Sequence, residues 1–310
     1  MQPAKPPDDL DRWLVIVNPA AGPPDHGSAW RSIARALRDA GVAFDEVQTE
    51  RPGHGGDIAR RALQDGRRRI AAVGGDGSVN EVIHGVMDAG LPDTREVTLA
   101  VIPHGTGNDW ARSLGITRDP QQIARVLSAG RTMLHDVGTV DFPDSGARRR
   151  WFINVAGAGY DAWVTEHVPR PVPSAFTYLG IALRGLVNYE APEFRVTAGD
   201  AHFEGRMLLA FVANAQFCGN RMHVAPTARM DDGLLDVLAV RELSLLQALP
   251  KLGKLYAGRI LGDPAVTHAR AARVRIETQP AAVIQADGQI IGSTPAEFGL
   301  LARALRVIVP

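Results

Sequence analysis

Two hydrophobic rhythms divide this chain. In its first part, short apolar runs alternate with amphipathic stretches. Residues 13–17, 42–48, 70–73 and 98–102 read as strands. Residues 28–40 carry Trp30, Ile33, Ala34 and Leu37 on one helical face, and Gly41 closes that helix. Residues 57–63, 78–87 and 121–127 are further predicted helices. The apolar positions Val79, Val82, Ile83 and Val86 give the middle one its stripe. Strands alternating with helices predict an α/β domain with a parallel sheet.

The rhythm changes near Met133. Short alternating runs at 134–140, 150–155, 194–198, 207–213, 234–240, 273–277, 283–285 and 304–308 predict an antiparallel sandwich or barrel. Two helices interrupt it. One covers 174–189, with Phe176, Tyr178, Leu179, Leu183, Leu186 and Val187 as a broad apolar face, and the other covers 243–260. The expected layout is a loose tail over 1–10, an α/β domain over 11–133 and a β-rich domain over 134–310, whose last strand is able to return to the first domain.

Composition narrows the class. A chain of 310 residues has room for two domains. Hydrophobic residues at 45% and charged residues at 22% are those of an ordinary globular protein. The formal net charge is zero, so no global field argues for nucleic acid. A single cysteine, Cys218, excludes an internal disulfide and a multi-cysteine metal site, and fits a reducing compartment. No apolar run reaches about 18 residues, the length that suggests a membrane span. The first ten residues lack the apolar core of a signal peptide. A cytoplasmic location is expected. Arg148, Arg149 and Arg150 fall in a predicted hairpin loop, which reads either as a solvated turn or as a contact for anionic lipid.

The candidate chemistry lies at strand ends. Gly74-Gly75-Asp76-Gly77-Ser78-Val79-Asn80-Glu81 joins a strand to a helix start. Its three glycines let the backbone approach a ligand, and amides at a helix start favour anions. Asp76 would repel a phosphate unless a divalent cation or a proton donor stands between them. An ordinary β–α turn is the alternative. Asn18-Pro19-Ala20-Ala21-Gly22 closes the first strand, and Thr49 begins the exit of the second. Pro103-His104-Gly105-Thr106-Gly107-Asn108-Asp109 is another glycine-rich exit into a helix. A parallel sheet places such exits on one rim, where a nucleotide triphosphate would be held.

These motifs resemble the diacylglycerol kinase catalytic domain. Gly74-Gly75-Asp76-Gly77-Ser78 with Asn80-Glu81, then Pro103-x-Gly105-Thr106-x-Asn108-Asp109, carry the likeness. Asn18-Pro19 with Gly22, Ala225-Pro226 with Asp231-Asp232-Gly233-Leu234-Leu235-Asp236-Val237, Asp287-Gly288 and the closing residues 305–310 extend it over nearly the whole chain. NAD kinases and phosphofructokinases share the glycine–aspartate loop but not the Gly-Thr-x-Asn-Asp stretch. The resemblance implies an N-terminal three-layer α/β nucleotide domain, a C-terminal antiparallel β-sandwich, and an active site between them. It implies transfer of the ATP γ-phosphoryl group to the hydroxyl of a diacylglycerol-like lipid. ATP contacts would come from Asn18, Pro19, Gly22, Thr49, Gly74, Gly75, Asp76, Gly77, Ser78, Val79, Asn80, Gly105, Thr106, Asn108 and Asp109. No Gly-Lys-Ser/Thr follows the loop, so charge neutralisation falls largely to Mg²⁺. A structural Mg²⁺ would take backbone carbonyls of Arg229 and Leu234 and the carboxylate of Asp232.

Two positions depart from the family pattern. Ser78 stands where threonine is usual, and keeps the hydroxyl. Gln289 stands where many bacterial members carry the glutamate assigned to deprotonate the lipid hydroxyl, and an amide is no general base. That leaves Asp287 or Asp76 to take the proton, a loose transition state that needs only positioning, or a weakly active chain. The expected partners are ATP and an amphipathic lipid met at a peripheral membrane surface such as the inner membrane, with no nucleic acid; a homodimer stays open. A kinase for a soluble acceptor and a retired nucleotide-binding protein are the competing readings.

Overall fold

The computed structural model describes residues 9–22, 26–105, 107–144, 146–169 and 175–310. The chain forms two compact units, Met1–Asp136 with Ala302–Pro310, and Val137–Leu301.

The first unit runs β1 (Trp13–Val17), α1 (His26–Asp39), β2 (Phe44–Gln48), α2 (His54–Gln64), β3 (Arg69–Gly74), α3 (Asp76–Met87), β4 (Thr98–Pro103), α4 (Asp109–Ser113) and α5 (Pro120–Ala129). The strands pair in parallel in the order β4-β3-β1-β2, and Arg306 and Val307 of the returning chain pair in parallel with Thr98 and Leu99. β1 throughout, and β3 and β4 after their first residues Arg69 and Thr98, are apolar and buried, as strands of a sheet covered on both faces must be. β2 carries Asp45 and Glu46 and is the exposed edge. Trp30, Ile33, Ala34 and Leu37 are buried on α1. α2 begins earlier than its apolar pattern suggests, because Gly53 turns the chain at φ +79°. A Cβ on Gly85 of α3 would stand 2.2 Å from the Gly56 carbonyl oxygen, so α2 and α3 cross closely only because both positions are bare. Asp119 caps α5 by accepting from the amides of Gln121 and Gln122, with Pro120 in the first turn.

The second unit follows with β5 (Thr132–Asp141), β6 (Arg150–Phe152), β7 (Val155–Gly159), α6 (Tyr160–His167), α7 (Ala175–Asn188), β8 (Glu193–Ala198), β9 (Ala201–Ala213), β10 (Phe217–Cys218), β11 (Met222–His223), β12 (Leu235–Arg241), α8 (Leu245–Tyr256), β13 (Val266–Ala271), β14 (Val274–Gln279), β15 (Val283–Ala286), β16 (Gln289–Ser293) and β17 (Ala296–Ile308). It is a β-sandwich. The first half of β9 pairs antiparallel with β8, which continues through β14 to β17 and β5. Its second half pairs antiparallel with β7 and β12, in a sheet completed by β15, β16 and β13. One long strand therefore serves both layers. Phe152, Phe194, Val196, Ile276 and Phe298 of one layer meet Ala210, Val212, Leu235, Val237 and Ile284 of the other in the core. The second sheet's outer face, with Leu209, Phe211 and Leu238, packs under Tyr160, Val164, Ile181 and Leu255 from α6, α7 and α8.

Three sequence expectations need correction here. The run 150–155 is two strands, β6 and β7. Three helices interrupt the sheet rather than two, because the short α6 carries no apolar stripe at helical spacing to mark it. β9 reaches back to Ala201, since its first half alternates exposed and half-buried positions around Gly205. Among the described residues no helix is long and apolar enough to cross a membrane.

Candidate active site

Parallel pairing puts the carboxyl ends of β1, β3 and β4 on one rim, and three exit loops meet there. Asn18 holds the first loop to the second, its Nδ2 donating to Ser78 Oγ at 2.8 Å while its Oδ1 accepts from the Ala20 amide at 2.9 Å. Pro19 is exposed in the same turn. Gly22, at φ +92°, lies against the third loop; a Cβ there would stand 2.3 Å from the His104 carbonyl oxygen. The second and third loops touch backbone to backbone, since a Cβ on Gly105 would stand 2.3 Å from Gly75 Cα. A Cβ on Gly74 would strike Ser78 Oγ at 2.4 Å. These glycines are bare because the loops share the space. Thr106 lies outside the described residues.

The rim extends to the exit of β2. The Thr49 amide donates to the Val17 carbonyl at 2.9 Å. Glu81 on α3 accepts from the amides of Gly53 and Gly55 at 2.8 and 3.3 Å, tying that loop to the glycine–aspartate segment. This bracing role of Glu81 was not legible from the motif. Val79 and Asn80 are buried in α3, and the amides of Ser78 and Val79 donate to the Gly75 carbonyl within the helix start.

Asp76 and Asp109 form the charged floor. Asp76 Oδ1 accepts from the Trp110 amide at 3.2 Å. A Cβ on Gly107 would lie 2.9 Å from Asp76 Oδ2 and 3.7 Å from Asp109 Oδ2, so both carboxylates face the side-chain-free Gly107. Burial first, and then the Asp109 charge, push Asp76 above the usual carboxylate range, although the amides of residues 108–110 pull it down. A divalent cation that neutralised both oxygens would relieve that conflict, so the donor set fits a hard cation beside a phosphate. Asn108 fixes the loop from within at φ +53°. Its Oδ1 accepts from the Gly105 amide at 3.0 Å, its Nδ2 donates to the Gly105 carbonyl at 2.8 Å, and Arg118 donates to that same carbonyl.

The remaining predicted site residues lie in the second unit. Asp287, at φ +46°, uses both oxygens structurally: Ile153 N–H donates to Oδ2 at 2.8 Å, and the amides of Asn154 and Val155 donate to Oδ1 at 3.0 and 3.1 Å. Such a carboxylate is an anchor rather than an open base. Gln289 opens β16, half-buried. Gln285, absent from the predicted set, accepts from the Gly288 amide at 2.9 Å and donates to Asp161 Oδ2 at 2.9 Å. Asp161 Oδ1 is shut from solvent with no hydrogen-bond partner among the described residues, and burial pushes this carboxyl up to about 6.

In the loop carrying Arg229, Asp232 and Leu234 the Asp232 carboxylate already has partners. Arg270 donates to Asp232 Oδ2, and the Leu234 amide donates to Oδ1 at 3.1 Å, so a guanidinium already holds the place of the positive charge. Asp231 pairs with Arg229 at 3.5 Å, and Asp236 with His268 and Arg270. Among the described residues no three His, Cys, Asp or Glu gather to hold a metal.

Residues 12–140 match the diacylglycerol kinase catalytic domain family, and residues 154–309 match the YegS C-terminal NAD kinase beta sandwich-like domain family. The chain belongs to the diacylglycerol kinase family of lipid kinases. This lipid kinase is 28% identical over 308 residues to the diacylglycerol kinase of Bacillus subtilis (strain 168), covering 97% of both chains. It is 26% identical over 302 residues to the diacylglycerol kinase of Staphylococcus aureus (strain MRSA252), covering 96% of this chain and 92% of that one. A crystal structure of a diacylglycerol kinase from Bacillus anthracis str. Sterne superposes with a TM-score of 0.72 at 22% identity, over 97% of this chain and 98% of that one. Yeast NADH kinase complexed with NADH superposes at 0.51 and 9% identity, over 98% of this chain and 84% of that one. Both likenesses are of fold: a mixed α/β domain and a C-terminal β-sandwich. Membership makes the chain a lipid kinase phosphotransferase, with ATP and a lipid acceptor as its substrates.

Proposed function

We propose that this lipid kinase transfers the ATP γ-phosphoryl group to the hydroxyl of a diacylglycerol-like lipid. The observation that supports the site is the meeting of three strand exits around Asp76, with Gly75, Gly105 and Gly22 bare so that the backbones touch. The amides of Asp76 and Gly77 at the start of α3, and small side chains such as Ser78, suit a triphosphate, because they bond oxygens without filling the space. No lysine follows the glycines. When bound, Mg²⁺ supplies the charge neutralisation, and Asp76 and Asp109 are the oxygen donors to hold it. Asn18 and Asn108 keep the loops in register by the hydrogen bonds described above.

The acceptor's proton needs a destination. The neutral amide of Gln289 cannot receive it, and Asp287 is committed to three backbone amides. With Asp76 given to the cation, the hydroxyl proton passes to solvent as the bond from the γ-phosphorus to the ADP oxygen breaks and the bond to the lipid oxygen forms. A loose transition state asks little more than this and good positioning.

Radiolabelled phosphate transfer from ATP into diacylglycerols, sphingoid bases, ceramide and phosphatidylglycerol tests the reading. Diacylglycerol labelled in preference to the others is the expected result. Label entering NAD or a sugar phosphate, with none in any lipid, would overturn it.

A further inference from the structure

α8 is apolar on both sides. Its inner face carries Ala248, buried, and Leu245, Leu252 and Leu255, half-buried, with Leu255 packed against the second unit's helix-covered core. Its outer face is set three and four residues on, at Leu246, Leu249, Pro250, Gly253 and Tyr256, and all five are exposed. Leu246 is 82% exposed, Tyr256 54% and Leu249 44%. An apolar helix face belongs in an apolar surrounding, and of the two on this helix only the inner one has it. α7 packs beside it and adds Val187, 68% exposed.

The charges carried by α8 and its exit are positive, after the exposed Glu242 that precedes the helix. Residues 243–262 contain Lys251, Lys254 and Arg259 and no acidic residue. The acid that follows, Asp263, has no exposed side-chain surface and lies beneath the helix. Lys251 donates to its Oδ1 at 2.6 Å and Lys254 to its Oδ2 at 2.8 Å. One carboxylate shared by two lysines leaves the segment positive, and both bonds hold the helix with its apolar side outward. A leucine and tyrosine ridge over basic residues is the arrangement of a helix lying in a lipid interface, where the apolar chains enter the acyl boundary and the cations meet anionic headgroups. The protruding side chains form a patch on the order of a few hundred Å². That is short of the roughly 800 Å² per partner of a stable dimer.

We propose that the outer face of α8, through Leu246, Leu249 and Tyr256, docks this kinase on an anionic lipid bilayer. The inference rests on the lipid-acceptor reading, because such an acceptor must be drawn from a bilayer.

Flotation of the full chain with vesicles tests it. The probes are pure phosphatidylcholine and an equimolar mixture of phosphatidylcholine with phosphatidylglycerol. The wild-type chain should float with the mixed vesicles. The triple variant Leu246→Ser/Leu249→Ser/Tyr256→Ser should bind them about tenfold more weakly or worse. Its thermal unfolding should be unchanged, because these side chains are exposed. Arg259→Glu should weaken binding to the mixed vesicles alone. Phosphorylation of a short-chain, water-dispersed diacylglycerol should be equal in wild type and triple variant, which separates loss of docking from failure of the kinase reading. Vesicle binding by the triple variant equal to wild type would overturn the proposal. So would a wild-type dimer that ignores both vesicles and becomes monomeric in the triple variant, because the ridge would then be a self-association surface.

Discussion

Gly105→Ala is the sharpest perturbation of the loop junction. The new Cβ would lie 2.3 Å from Gly75 Cα, 2.9 Å from Gly75 N and 3.1 Å from Asn108 Oδ1. Carbon atoms in contact sit at about 3.5–4.0 Å, so the closest approach is short by roughly 1.2 Å. Gly75 contributes backbone there, and no rotamer change can relieve the overlap. Each loop is pinned as well: the Gly105 amide and carbonyl are bonded to Asn108, and the Gly75 carbonyl accepts from the amides of Ser78 and Val79. The loops must therefore part by about an ångström. Overpacking of this kind costs about 1–3 kcal/mol of stability, and a displacement of about 1 Å at a reacting centre costs on the order of 10²-fold in rate. Gly77→Ala is the matched control for stability, because its Cβ would meet no atom within 4 Å and it lies in a helical turn. Urea unfolding should show Gly105→Ala destabilised and Gly77→Ala unchanged or up to about 1 kcal/mol more stable. Fluorescent ATP-analogue binding by Gly105→Ala should be weakened in parallel. If Gly105→Ala unfolds and binds nucleotide like the wild type, the loops do not depend on their contact and the geometric reasoning fails.

Three other outcomes follow from the second unit. Asp287→Ala leaves the amides of residues 153–155 without their acceptor, at about 1–3 kcal/mol for each buried donor; denaturant unfolding should show a large loss, and lost turnover at unchanged stability would instead give Asp287 a chemical role. Asp161 is raised to about 6 in the folded chain from 3.8, so its stability contribution is fully present below about pH 4 and falls as pH rises through 6. The difference between wild type and Asp161→Asn should therefore shift by roughly 3 kcal/mol across that window in a pH series of thermal melts, and a pH-independent difference would contradict the burial. Gln289→Glu should preserve or raise kcat, by up to about 10²–10⁴-fold if a general base is what the chain lacks; a lower kcat at normal ATP binding would count against an acceptor site near β16.

Much of the fold was legible because burial imposes period. The continuous apolar runs of β1, β3 and β4 and the stripes of α1, α3 and α5 follow directly from a sheet covered on both faces. The sandwich strands were legible where one face is wet, and obscure where a strand serves two sheets, as β9 does at Arg206 and Met207. α6 was hidden because it is short and carries no apolar stripe at helical spacing. In the site, glycines and Asx residues announced the loops, since close approach admits little else. Glu81, Gln285 and Asp161 were not announced, because each acts on backbone or on a partner distant in sequence: Glu81 reaches Gly53, and Gln285 reaches Asp161. Arg270, which takes up the Asp232 carboxylate, is a long-range contact that no local pattern carries.

In the proposed reaction Asp76 sits where phosphate passes from ATP to a lipid hydroxyl. Side-by-side transfer of radiolabelled phosphate from ATP into dispersed diacylglycerol, by wild type and Asp76→Ala at matched folding and matched Mg²⁺, tests it most directly. Labelled phosphatidic acid from the wild type and none from the variant is the predicted result. Equal label from both would contradict it.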